Sequence, residues 1–240
     1  FGCTGGAGTG TVECSVASSC CVCQQVLCGY EPPPNNRYCD ALKVGAPNAL
    51  YGVKQVALKG EVGGSGAVLD CSARGSCAST YIMGEWLMSI ICGGPDACRD
   101  SVMDIKQSTG ITCSTRSCIG TTFNLLSNRG GSISCEAPEA CMAATITVIG
   151  NIQDIKCGGV RGCKDAKITL TNPMEHFQLS CGGQSSCQGL TIDLIIDGPA
   201  ATTGCTAITS AQPAYIEWKG ITCGSMNSCQ GLVLNVINNG

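Results

Sequence analysis

Two cysteines about six residues apart, followed by an alternating apolar strand, recur along most of this chain. The stretch SCGGQSSCQGLTIDLIID begins at Ser180, and 42 residues further on TCGSMNSCQGLVLNVIN writes it again. Aligning on the cysteines gives pairs at Cys71/Cys77, Cys92/Cys98, Cys113/Cys118, Cys135/Cys141, Cys157/Cys163, Cys181/Cys187 and Cys223/Cys229. Their first members advance by 21, 21, 22, 22 and 24 residues and then by 42, which reads as two periods. The missing copy falls on Cys205, whose partner position six residues earlier is Pro199. A period of about 22 over eight copies marks a solenoid, in which each unit buries its apolar face only against its neighbours.

The strands decide which solenoid. After each second cysteine, inward candidates such as Ser101-Met103-Ile105, Thr121-Phe123-Leu125, Ala144-Ile146-Val148 and Leu190-Ile192-Leu194 alternate with Val102-Asp104, Thr122-Asn124, Thr145-Thr147 and Thr191-Asp193. A period of two with one apolar face is a half-buried strand. It predicts strands at 101–106, 122–126, 144–149, 166–171, 190–196 and 232–237 in one parallel sheet. A second short strand (AVLD, LMSII, GIT, SIS, IQDIK, HFQLS, YIEWKGIT) precedes each first cysteine. The fold class is therefore all-β, a parallel β-helix with coils of about 22 residues. Leucine-rich repeats share the period, but their Asn ladder and helical segment are missing.

Stacking at the strand spacing of about 4.8 Å requires like residues at equivalent positions. Ile82, Met103, Phe123, Ile146, Ile168, Ile192 and Leu234 form one such expected column. A cysteine pair closing the turn fastens each coil to itself; links of the 77-to-92 kind, tying coil to coil, are also geometrically open. Within-repeat pairing is preferred because it leaves no orphan at either end of the ladder. Gly93, Gly158, Gly182 and Gly224, each after a first cysteine, suit a turn needing positive φ.

Twenty-two cysteines imply an oxidising compartment. Structural zinc favours C-x2-4-C spacing, often with histidine, whereas here the recurring unit is C-x5-C and the one histidine is His176. We expect disulfides, no metal and no cofactor. The start at Phe1, with no signal peptide, reads as a processed, extracellular protein. Three regions are distinguished: a cysteine-rich segment 1–39, a linker 40–49 whose Pro-rich spacer begins near residue 31, and repeats over 50–240. The first holds seven cysteines, Cys3, Cys14, Cys20, Cys21, Cys23, Cys28 and Cys39. An odd count there and an unpartnered Cys205 lead us to expect a bridge between Cys205 and one of the seven, most simply between subunits. The closing stretch LVLNVINNG follows a repeat strand of full apolar character. Such an end invites another coil, and a head-to-tail contact that does not close makes a filament.

Chemistry is sparse. A net charge of −3 and pI near 5.1 disfavour a nucleic-acid partner, and no apolar run approaches the ~20 residues of a membrane span. "GCTGGAGTG" near the start reads as a flexible arm, and no catalytic motif occurs. A polysaccharide-active enzyme needs clustered carboxylates, but Asp104 and Asp193 in the outward row lie four coils apart. No enzyme is expected. The C-x5-C spacing with outward Thr-x-Thr resembles beetle antifreeze proteins, yet Asp104, Lys167, Asp193 and Asn235 interrupt a regular array. Over residues 70–240 the CGGxxxC coils resemble the repeats of secreted protist and algal surface-filament proteins. That resemblance implies an extracellular structural subunit that is its own partner in a homopolymer. A monomeric carbohydrate- or surface-binding module is the alternative. No N-x-S/T sequon is present, so a glycan partner or modification would be O-linked.

Overall fold

The computed structural model describes residues 4–5, 11–14, 26–27, 41–45, 47–48, 50–51, 56–59, 67–108, 110–172, 177–196 and 220–238. Among these are seventeen strands and no helix. In chain order they are β1 (Thr4–Gly5), β2 (Thr11–Cys14), β3 (Val26–Leu27), β4 (Ala41–Val44), β5 (Val56–Lys59), β6 (Ala67–Asp70), β7 (Tyr81–Glu85) and β8 (Leu87–Cys92). There follow β9 (Val102–Ile105), β10 (Gly110–Cys113), β11 (Thr122–Ser134), β12 (Thr145–Lys156), β13 (Lys167–Thr171), β14 (Gln178–Cys181), β15 (Thr191–Ile196), β16 (Gly220–Cys223) and β17 (Val233–Asn238).

They stack as a parallel β-solenoid with two faces. One face runs β2, β4, β6, β8, β10, the C-terminal parts of β11 and β12, β14, β16, every neighbour parallel. The other runs β3, β5, β7, β9, the N-terminal parts of β11 and β12, β13, β15, β17, again parallel throughout. The single antiparallel partner is β1, which pairs with β2.

Alternation produces the core. Register places Ile82, Met103, Phe123, Ile146, Ile168, Ile192 and Leu234 opposite one another in one continuous column. The facing sheet supplies Leu69, Ile90, Ile111, Ile133, Ile155, Leu179 and Ile221. Apart from the last coil's Leu234 and Ile221, both columns are buried. Because the side-chain period is two, a one-residue slip would turn every one of these residues to solvent, so the core holds the register.

Three expectations are revised. The step of 42 residues is one coil, not two: β14 pairs directly with β16, setting Cys181 against Cys223, and β15 pairs directly with β17. No further coil can lie between partners already hydrogen-bonded, so the expected copy at Pro199 and Cys205, which lie outside the described residues, does not come between them. The ladder also begins before residue 50. Strands β2 and β3 of the cysteine-rich segment and β4 within 40–49 join it, since Ala41-Leu42-Lys43-Val44 alternates like every later coil. Finally, Gly93, Gly158, Gly182 and Gly224 do not adopt positive φ. The left-handed residues of the turns include the second cysteines Cys118, Cys141, Cys163 and Cys187, with φ of 51–54°.

Candidate assembly surface

The cysteines form a spine along one edge of the solenoid. Seven disulfides close the turns: Cys71–Cys77, Cys92–Cys98, Cys113–Cys118, Cys135–Cys141, Cys157–Cys163, Cys181–Cys187 and Cys223–Cys229, with Cα–Cα distances of 5.7–6.1 Å. Each ties a coil to itself, and the coil-to-coil link of Cys77 with Cys92 is not formed, since each is bridged within its own turn. Hydrogen bonds tie coil to coil instead, among them Cys71 N to Ile91 O, Cys135 N to Lys156 O and Cys157 N to Ser180 O, each 2.7 Å. The Cys98 carbonyl joins in: it accepts from the Ser101 hydroxyl of its own coil and from the Thr121 hydroxyl of the next. The sulfurs of Cys92, Cys113 and Cys118 lie within 4.8 Å of one another, as do those of Cys113, Cys135 and Cys141. All are already bridged, and a cystine sulfur offers no thiolate to a metal, so this proximity is that of stacked cystines. So many bridges belong to an oxidising environment.

The outward row next to the core column is Asp104, Asn124, Thr147, Thr169, Asp193 and Asn235. Four coil steps separate the two carboxylates, roughly 19 Å at the stacking distance. Each is engaged locally: Asp104 accepts from Tyr81 and from Asn124 (2.6 Å), and Asp193 accepts from Lys167 (2.9 Å) and Asn235 (2.8 Å). The Asp104 hydrogen bond, with some burial, raises the Tyr81 phenol above its ordinary value. Hydrogen bonds from Asn235 and Lys167 hold Asp193 below the usual carboxylate range. In the adjacent column Thr122 and Thr145 stack, but Lys167 separates them from Thr191. These rows are bonded ladders that seam one coil to the next, not a convergent acid–base pair.

The last coil differs from all those before it. Ile192 and Leu194 of β15 are 0% and 2% exposed, whereas their register partners Leu234 and Val236 of β17 are 41% and 45% exposed. The same inward positions that are sealed one coil below form an apolar surface here, beside the free edges of β16 and β17 among the described residues. Exposed Met226 in the last turn adds to it.

Of the cysteines expected to join subunits, Cys14 ends β2. Cys3, Cys20, Cys21, Cys23, Cys28, Cys39 and Cys205 lie outside the described residues, as does His176. Sequence reasoning missed the Lys167–Asp193–Asn235 seam, whose signal was the row register itself. It also missed the second glycine of CGG, where a Cβ on Gly159 would stand 1.9 Å from the Ala137 carbonyl oxygen of the preceding coil; its signal was the doublet.

These features define a class: a disulfide-braced parallel β-solenoid, with Leu234 and Val236 exposed in the last described coil. No family model, curated protein or solved structure matches the chain.

Proposed function

We propose that this protein is a secreted, non-catalytic structural subunit that polymerises head to tail into an extracellular filament. The N-terminal segment of one subunit engages the C-terminal coils of the next. The exposed column ends Leu234 and Val236 carry the reading, because the surface they form is the one that another coil of the same pattern covers throughout the solenoid. Fully burying a leucine or valine contributes about 1.5–3 kcal/mol. Covering the remaining two-fifths of each adds about 1 kcal/mol per residue, to which the hydrogen bonds of two strand edges are added. Strand β1 takes the outer edge of β2 within its own chain, so among the described residues the open N-terminal edge is that of β3. Nine stacked strands per face correspond to roughly 40–45 Å of fibre per subunit.

Non-reducing electrophoresis and negative-stain electron microscopy test this. A ladder of covalent multimers that collapses on reduction, disappears in Cys205→Ser and is accompanied by filaments is the expected result. Leu234→Glu with Val236→Glu should abolish filaments without loss of the monomer fold. A single sharp monomer band with no filaments would overturn the proposal.

A further inference from the structure

Opposite the disulfide spine, the two faces meet at a second corner where the chain turns from one sheet into the other. Register aligns the corner residues of successive coils: Gly84 pairs with Ile105 just before Trp86 and Gln107, and Ile149 pairs with Thr171 just before Gly150 and Asn172. All four have positive φ: 58° at Trp86, 137° at Gln107, 99° at Gly150 and 48° at Asn172. Glycine and asparagine adopt this region cheaply. A bulky aromatic there is an outlier, and such outliers concentrate where a side chain is wanted for a task.

The half-buried Trp86 lines a notch of about 310 Å³ with Glu85, Lys106, Gln107 and Leu126, spanning three coils. Lys106 and Glu85 form an ion pair across two coils, so the notch is charge-balanced, and most of its exposed lining is apolar. Leu126 is 39% exposed. The side-chain oxygen of Gln107 is buried and lacks a hydrogen-bond partner among the described residues, an arrangement that costs free energy until a donor reaches it.

We infer that this notch is a saccharide-binding site. A sugar ring presents an apolar C–H face and a rim of hydroxyls, and the notch offers both counterparts. The ring face packs on the Trp86 indole and Leu126, and the Gln107 amide that lines the notch meets one hydroxyl. Glu85 and Lys106 accept from and donate to the others. Their mutual pairing leaves no net charge to select an anion or a cation, and three polar liners out of five disfavour a purely apolar ligand. The site does not depend on assembly into filaments.

The chain has two tryptophans, so in a Trp218→Phe variant the emission reports Trp86 alone. The full chain is titrated with cellohexaose, laminarihexaose, xylohexaose, mannohexaose and chitohexaose to about 10 mM, where millimolar affinities are visible. A saturable shift with at least one of them is expected. By calorimetry, Trp86→Gly should weaken that binding about tenfold or more, and Gln107→Ala about threefold or more. Glycine accepts the corner backbone without strain, so Trp86→Gly should keep or raise the melting temperature. No saturable response to any of the five sugars would overturn the inference. So would full binding by Trp86→Gly, or a lowered melting temperature with binding intact, which would make Trp86 a packing residue.

Discussion

Gly158 and Gly159 are adjacent and, as letters, interchangeable, but the structure separates them sharply. A Cβ on Gly159 would stand 1.9 Å from the Ala137 carbonyl oxygen and 2.2 Å from its carbon, both main-chain atoms of the preceding coil. One on Gly158 would meet Glu136 Cγ at 3.3 Å, the movable part of a side chain. Relieving the first contact requires the coils to part by more than about 1 Å, as overpacked cores do at a cost of about 1–3 kcal/mol. That movement strains nearby coil-to-coil bonds such as Glu139 N to Val160 O at 2.8 Å. Each buried bond broken adds about 1–3 kcal/mol. Gly159→Ala should therefore cost about 3–5 kcal/mol. Gly158→Ala should lie within about 1 kcal/mol of wild type, because the lost chain entropy of the unfolded state favours alanine at a compatible backbone. Guanidinium unfolding with the bridges intact measures the difference. Hydrogen exchange should place the damage in the turns 135–141 and 157–163, since solenoid coils couple mainly to their neighbours. Equal stability losses for the two variants, or a neutral Gly159→Ala, would refute the close-approach argument.

Two further outcomes follow from the columns and the seam. Phe123→Ala, in mid-column and fully buried, should cost about 3–5 kcal/mol, while Leu234→Ala in the same column should cost clearly less in the monomer; comparable losses in denaturant midpoints would contradict the exposed-end description. Asp193, held below its ordinary value by Asn235 and Lys167, lends stability that is present above about pH 4, the unfolded carboxylate range, and is lost as pH falls through its lowered folded value. Amide protection in β15 and β17 should weaken on acidification in wild type but much less in Asp193→Asn, and identical acid profiles would remove the seam's role.

Much of the architecture was legible because a parallel stack makes equivalent residues touch. Once Ile82 to Leu234 is written as a column, the period of two and the cysteine spacing leave little freedom in class or register. The single coil step from Cys181 to Cys223 was not legible, because a gap of 42 equals two periods, and counting alone cannot tell one long coil from two. Only the pairing of β14 with β16 decides it. The glycine doublet misled for a related reason. Its φ angles are ordinary, and it is the approach of one main chain to the next, a property of two coils rather than one, that excludes a side chain at Gly159. Trp86 left no sequence signal at all, since nothing local marks it as occupying a left-handed corner.

The two edges of the solenoid divide its labour. On the disulfide edge the spacing is nearly constant: the bridged cysteines are five or six residues apart, and the strand after every bridge, from Tyr81 to Val233, begins four residues past the second cysteine. On the opposite edge the chain length varies. The next first cysteine comes eleven residues after Tyr81 and Val102, thirteen after Thr122, twelve after Thr145, fourteen after Lys167 and thirty-two after Thr191. The bridged loops differ by at most one residue, the shorter being Cys113–Cys118. The other corner is closed by no bridge in these coils, and extra chain there costs only slowly growing loop entropy. Variation in chain length therefore collects where it leaves the stack intact, whereas the left-handed residues recur in the disulfide turns, Cys118, Cys141, Cys163 and Cys187 among them. That edge carries the Trp86 notch, while the cystine spine keeps every coil in register.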